Sequence, residues 1–182
     1  MSENRPDVAV IIPVYRGAGI ISRCLDKVTG QQSNRSIEVI VVDDGSDDGT
    51  AQAVSEWGRE FKSDHPESPV TVQLLRQEHK GPSAALNLGA ANTEAEILLF
   101  TDADCEPTPN WVEAMTRPFD DPSVCGTKGA YETEQREWVA RLVQVEYEEK
   151  YERMKAFDSI DFIDTYSGAF RREVFGALGL FV

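Results

Sequence analysis

Residues 8–17 read VAVIIPVYRG, and the reading of this stretch decides the fold. Val8 to Ile12 is apolar without a break and rich in β-branched side chains. A strand with one wet face alternates apolar and polar residues. A strand covered on both faces does not, and that pattern belongs to a parallel sheet with helices on either side. Pro13-Val14-Tyr15-Arg16-Gly17 then breaks the run.

The chain downstream repeats the logic. Ile20, Ile21, Cys24, Leu25 and Val28 recur at helical spacing, which predicts a helix over roughly 19–28. A second strand, Ile37 to Val42, stops at Asp43-Asp44-Gly45-Ser46. Thr50 to Phe61 reads as a helix, Val70 to Leu75 as a strand, and the Ala- and Leu-rich Gly81 to Thr93 as a helix. A fourth strand, Ile97 to Phe100, stops at Thr101-Asp102-Ala103-Asp104. Strand and helix alternate throughout, so the fold class is α/β: an open, mostly parallel twisted sheet with helices on both faces.

Beyond residue 104 the pattern changes. Pro109 to Phe119 predicts a short helix, Val124 to Tyr131 a strand, Thr165 to Phe170 a strand and Arg171 to Leu178 a helix. Glu134 to Phe157 predicts a long amphipathic helix. Its apolar positions are Trp138, Leu142 and Val145 on one line, with Val139, Val143, Tyr147, Tyr151 and Met154 beside it. They read as a core stripe under a solvated face, or else as a surface meeting an acceptor or a membrane. Glu137 with Arg141, Glu146 with Lys150 and Glu149 with Arg153 are i,i+4 pairs in the favourable order.

The 182 residues suit one domain, with 41% hydrophobic and 27% charged residues. A formal net charge of -14 argues against nucleic acid as a partner, because the phosphate backbone calls for a basic surface. Cys24, Cys105 and Cys125 are widely spaced and odd in number, which argues against structural zinc and against a disulfide framework. The polar N-terminus has no signal-peptide core and no run is long enough to span a membrane. A cytoplasmic location is expected, with attachment to the inner face of a membrane only through residues outside this chain.

In an open α/β sheet, ligands bind beyond the carboxyl ends of the strands. Three strands end in chemistry there: Pro13-Val14-Tyr15, Asp43-Asp44-Gly45-Ser46 and Asp102-Ala103-Asp104. Taken singly, each has a plain structural explanation. Tyr15 packs, Asp43 and Asp44 make a turn, Asp47 and Asp48 are surface residues or the cap of the next helix, and Asp102 or Asp104 caps the helix entered at Pro109. Taken together, on one edge, they suit a nucleotide carrying a diphosphate. Tyr15 packs against a base, and Asp44 accepts from a base N–H. Asp102 and Asp104 share a ribose and a hard divalent ion, Mg2+ or Mn2+, which such oxygens hold together with phosphate oxygens.

Other readings lack their residues. A dinucleotide dehydrogenase needs G-x-G-x-x-G after the first strand, which Pro13 to Gly19 does not supply. A phosphate-transfer receiver domain wants its acidic pair after the first strand. A haloacid-dehalogenase-type phosphatase carries its D-x-D early in the chain.

The succession VAVIIPVYRG, EVIVVDDGSDDGT and HKGPSAALNLGAANTEAEILLFTDADCEP, with the later TYSGAFRREVFGALG, resembles glycosyltransferase family 2 from Val8 to about Gly179. The resemblance implies a GT-A fold and an inverting, metal-dependent transfer from a nucleoside-diphosphate sugar, UDP-linked by preference. It implies a saccharide or lipid-linked acceptor and a place in cell-envelope polysaccharide synthesis. By position, Pro13-Val14-Tyr15 match the motif lining the nucleoside pocket, and Asp44 the Asp that contacts the base. Asp102 and Asp104 match the D-x-D, with Asp104 the usual metal ligand and Asp102 nearer the ribose. Lys80 falls in the loop facing the donor, as a phosphate contact or a solvated lysine; His79 reads as a loop residue. One domain over 1–182 is expected, with 8–106 as the donor half and 107–182 as an acceptor half short at its C-terminal end. Leu86 stands where many relatives carry Arg. The family's general base has no matching position before Val182; Asp161 and Asp164 fall on the wrong side of the TYSGAF segment. The alternative is therefore a truncated or non-catalytic nucleotide-sugar-binding module.

Overall fold

The continuous apolar run at residues 8–12 becomes the middle of a sheet. In a computed structural model, which describes residues 5–133, 137–157, 159–160 and 162–181, β1 (Val8–Val14) pairs in parallel with β2 (Ile37–Asp43) on one side and β4 (Ile97–Thr101) on the other. β3 (Thr71–Arg76) extends the sheet beyond β2, also in parallel. β6 (Ser167–Arg171) runs antiparallel to β4, and β5 (Gly126–Lys128) runs antiparallel to β6. The order across the six strands is β3-β2-β1-β4-β6-β5. The class is the one expected, a mostly parallel α/β sheet.

The helices follow from the handedness of parallel connections. The chain steps from β1 to β2 to β3 in one direction, then returns past β1 to β4. Right-handed crossovers therefore put the first two helices on one face and the third on the other. On the first face α1 (Ile21–Thr29) buries Ile21, Cys24, Leu25 and Val28, and α2 (Thr50–Asp64) adds Val54, all against Val8, Val10 and Ile12. On the second face α3 (Pro82–Ala91) sets Leu86 and Ala90 against Ala9, Ile11, Leu98 and Phe100. Gly89 is the contact point: a Cβ there would sit 2.5 Å from Ile11 Cγ2, so only glycine lets α3 lie this close to β1. α4 (Trp111–Thr116), which a 3₁₀ turn at Arg117–Asp120 follows, closes the first face, and α6 (Arg172–Leu178) places Phe175 on the second.

The long helix departs from the core-stripe expectation. α5 (Trp138–Met154) buries none of its residues. Trp138 is 76% exposed, and Val139, Leu142, Val143 and Val145 are exposed as well. The physical reason is placement. Both faces of the sheet are already covered by other helices, and the contacts of α5 among the described residues run to Lys128 and to the segments flanking β5 and β6. A polar and aromatic network fastens it there. Lys128, only 3% exposed, pairs with Asp164 and lies 3.3 Å from the Tyr166 hydroxyl. That hydroxyl meets the Tyr151 hydroxyl at 3.0 Å, and the Tyr131 N–H donates to Tyr151 at 2.7 Å. Of the expected ion pairs, Arg153 keeps Glu149 at 3.3 Å, while Lys150 turns to Asp164 at 3.8 Å. The start predicted at Glu134, and Asp161, lie outside the described residues. Among the described residues, no helix is long and apolar enough to cross a membrane.

Candidate functional site

The strand order reverses between β1 and β4, which opens a crevice at their carboxyl ends. The segments after β1, β2 and β4 meet there, and the first two are tied together. Arg16 takes a left-handed φ of +53°, held by its N–H donating to Ser46 Oγ at 2.9 Å. Its guanidinium pairs with Asp47 through Nε and Nη2 at 2.9 and 3.0 Å. Gly17 N–H donates to Thr50 Oγ1 at 2.9 Å. Asp48 accepts from Thr50 N at 3.1 Å and from Ala18 N at 3.2 Å, while the N-cap position of α2 falls to Gly49, with no side-chain cap hydrogen bond. Pro13 is half-buried, and Val14 turns its side chain into the core while its carbonyl accepts the Asp44 N–H at 2.9 Å.

The two aspartates at the end of β2 divide the work. Asp43 is fully buried and braces the turn, accepting from Arg76 Nε at 2.9 Å and Ser46 N at 3.0 Å. Asp44 instead gathers the segment 77–81. Its Oδ1 accepts from Gln77 Nε2 at 2.6 Å and Lys80 N at 2.8 Å. Its Oδ2 accepts from Gly81 N at 2.9 Å and lies 2.9 Å from His79 Nδ1. Burial acts to push the Asp44 carboxyl up. The hydrogen bonds from Gln77 and from the Lys80 and Gly81 amides, with His79 beside it, outweigh that and hold it below the ordinary carboxylate range.

Tyr15 is half-exposed, and its ring stacks on His79 with centroids 4.2 Å apart and planes at 27°. His79, which the sequence reading left as a loop residue, thus touches both Tyr15 and Asp44. Its one sequence signal was proximity to Lys80-Gly81, and neither periodicity nor motif marks it. The Lys80 side chain is exposed while its amide serves Asp44. Leu86 is buried against Ala9 and Ile11.

After β4 the chain turns sharply. The Asp102 carbonyl accepts from Cys105 N at 3.1 Å and from Cys24 Sγ at 3.5 Å, which fastens the turn to α1. Side-chain ligand atoms of Asp102, Asp104 and Cys105 lie within 4.8 Å of one another. Burial, and then the Asp104 charge, push the Asp102 carboxyl above its ordinary value. The same surroundings push the Cys105 thiol up, so it stays protonated and is a poor ligand. What remains is a pair of carboxylates, an oxygen donor set of the kind hard divalent ions take. Helix capping does not explain the pair: Asn110 stands at the N-cap of α4, with no side-chain cap hydrogen bond.

Two strand spacings, about 10 Å, separate the ends of β2 and β4. Asp44, Tyr15 and the Asp102–Asp104 pair therefore lie along the same edge of the sheet, with Lys80 in the segment bound to Asp44. The general base stays unassigned, and Asp164 is committed to Lys128 and Tyr166 at the far edge of the sheet.

Known proteins resemble this arrangement. The sequence profile described as "Glycosyl transferase family 2" matches residues 9–179. Glycosyltransferase AglE of Haloferax volcanii is 40% identical over 114 residues, which cover 62% of this chain and 35% of that protein. The solved mannosyltransferase PcManGT from Pyrobaculum calidifontis, in complex with GDP-Man and Mn2+, superposes with a TM-score of 0.78 at 28% identity, over 98% of this chain and 48% of that one. S. aureus TarS 1-349 in complex with UDP-GlcNAc has the same fold, with a TM-score of 0.66 at 16% identity, over 96% of this chain and 48% of that one. The chain spans about a third or less of the curated relatives it matches first, and about half of these solved chains. With a profile match over nearly its whole length, the chain belongs to glycosyl transferase family 2.

Proposed function

We propose that this chain is the donor-binding part of a glycosyltransferase that moves a sugar, with inversion, from a nucleoside diphosphate to an acceptor hydroxyl. The observation that carries the reading is the close pair Asp102–Asp104, without an ion-pair partner among the described residues, at the switch point of the sheet and on the same carboxyl edge as Asp44 and Tyr15. Tyr15 offers an aromatic face to the base, and Asp44 an acceptor for a base N–H. Pro13 and the Val14 backbone shape the pocket floor, and the exposed Lys80 side chain can reach a phosphate. Asp104, with Asp102 nearer the ribose, would hold Mg2+ or Mn2+. Such an ion supplies charge neutralisation for the leaving diphosphate. UDP is the nucleotide expected from the family; GDP has equal standing because PcManGT holds GDP-Man.

Residues 8–106 make the donor half and 107–182 the acceptor side of one domain. The acceptor, a saccharide or a lipid-linked sugar, would meet the segment 127–168. That segment contains a cavity of about 700 Å³ lined by Lys150, Arg153, Met154, Phe157, Ile160 and Phe162. Three free cysteines support a cytoplasmic location. A second reading is a module that binds the donor without transferring its sugar. It stands as the alternative because, among the described residues, no side chain is assigned the role of general base.

Calorimetric titration with UDP and with GDP, each with and without Mn2+, tests the donor site. Mn2+-dependent binding that Asp104→Ala abolishes is expected. No binding of either nucleotide, or binding indifferent to Asp104→Ala, would sink it. Sugar release or transfer from a bound donor then separates the enzyme from the module.

A further inference from the structure

Asp44 is already crowded. An ionised carboxylate offers about four acceptor positions; three take hydrogen bonds, from Gln77 Nε2 at 2.6 Å, Lys80 N at 2.8 Å and Gly81 N at 2.9 Å, and His79 Nδ1 stands over Oδ2 at 2.9 Å while it bonds the Asp44 backbone carbonyl at 3.2 Å. A base N–H that uses Asp44 must therefore replace one of them. Two are backbone amides, and losing them would open the turn into α3. Gln77 is anchored as well, its own N–H bonded to the Asp43 carbonyl at 3.0 Å.

His79 differs from the other three. Its side chain is 56% exposed, and the Asp44 carboxylate beneath it is 4% exposed. Its ring lies flat on Tyr15 at 4.2 Å. One imidazole thus covers both features that a nucleobase would use, the aromatic face and the carboxylate acceptor. The His79 backbone is fixed: a Cβ on Gly45, at φ +78°, would come within 2.7 Å of His79 N, so loop and turn are pressed together. The ring can swing about χ1 while the loop stays seated.

We propose that His79 is an internal stand-in for the nucleobase. It sits on Tyr15 and Asp44 in the nucleotide-free protein, and the base of an incoming nucleoside diphosphate displaces it. Uracil and guanine each present a ring N–H beside a carbonyl, the donor that can take over the position on Asp44. Every binding event then carries the cost of lifting His79, which weakens donor affinity and keeps the pocket walls together between donors. The inference rests on the donor-site reading.

The test uses the full chain, with UDP plus Mg2+ and GDP plus Mg2+ as probes, the diamagnetic ion leaving the ring signals sharp. Only two histidines are present, His65 and His79, so the ring signals of His79 are identified by comparison with a His65→Ala protein. On saturation, the His79 ring protons should lose the ring-current shift imposed by Tyr15. By calorimetry, His79→Ala should bind the nucleotide about three- to tenfold more tightly, the equivalent of one exposed contact. Ring signals that keep their shift at saturation overturn the proposal, since His79 then stays on Tyr15 with the base elsewhere. Unchanged or weaker binding by His79→Ala also overturns it, and makes the ring a bystander or a wall of the pocket. If the wild-type chain binds neither nucleotide, the donor-site reading falls and this proposal with it. If the wild type binds while His79 stays in place, only this proposal falls.

Discussion

Replacing Asp102 by Asn should stabilise the metal-free protein while removing its response to metal and nucleotide. The Asp102 and Asp104 oxygens lie within 4.8 Å of each other. Two unit charges at that separation repel by about 1 kcal/mol in a water-like medium and by about 3–4 kcal/mol at an effective dielectric of 20. Asp104 is exposed and Asp102 half-buried, so the lower figure applies, roughly 1 kcal/mol. Among the described residues, the Asp102 carboxylate accepts no hydrogen bond, so the substitution breaks nothing to offset the gain. For a chain of this size that corresponds to a rise of about 2–4 °C in Tm. The assay is thermal unfolding in chelator, then with Mn2+ and UDP or GDP. In chelator the variant should melt above the wild type. With metal and nucleotide the wild type should rise, because a ligand that binds only the native state adds stability, and the variant should stay where it was. A variant less stable than wild type in chelator would refute the reasoning, because Asp102 would then be serving the fold as an acceptor.

Three further outcomes follow from the same geometry. Asp44→Asn turns a carboxylate that accepts three hydrogen bonds into a group with one oxygen, at a cost of about 2–3 kcal/mol in urea unfolding. Because Asp44 titrates below its unfolded value of about 4, its contribution is present above that pH and lost as pH falls through the depressed native value; the variant's stability should be flatter below pH 5. Gly89→Ala forces a methyl toward Ile11 Cγ2, 2.5 Å from the new Cβ, and should cost about 1–3 kcal/mol by overpacking, read from the denaturant midpoint. Lys128→Met leaves Asp164 without its buried partner and should cost about 2 kcal/mol, reduced from the full buried-pair penalty because Asp164 is partly exposed. Hydrogen exchange should then rise in Trp138–Met154 before it rises in the sheet, since α5 buries no residue of its own; a uniform rise would contradict the anchoring role of Lys128.

The sheet was legible because burial leaves a mark in sequence. A strand covered on both faces has to be apolar throughout, and Val8 to Ile12 and Ile97 to Phe100 are; both lie in the centre of the sheet. The place of the site was legible for a related reason: parallel strands bring their carboxyl ends to one edge, so Tyr15, Asp44 and Asp102 had to lie along it. Two things were not legible. The stripe on α5 has the period of a core helix, but periodicity reports one apolar face and says nothing about what lies opposite it. The sheet's two faces were taken, and no pattern local to residues 138–154 records that. His79 was missed because its importance comes from two long-range contacts, the ring of Tyr15 and the carboxylate of Asp44, and a single imidazole in a polar loop carries no spacing signal for either.

Crystals grown with Mn2+ and UDP or GDP, with data collected at the manganese edge, test the central claim most directly. The account predicts one anomalous peak within about 2.0–2.3 Å of an Asp104 carboxylate oxygen and of a diphosphate oxygen, with the base on Tyr15 and within hydrogen-bonding reach of Asp44. A nucleotide bound elsewhere, or manganese bound away from Asp104, would contradict it.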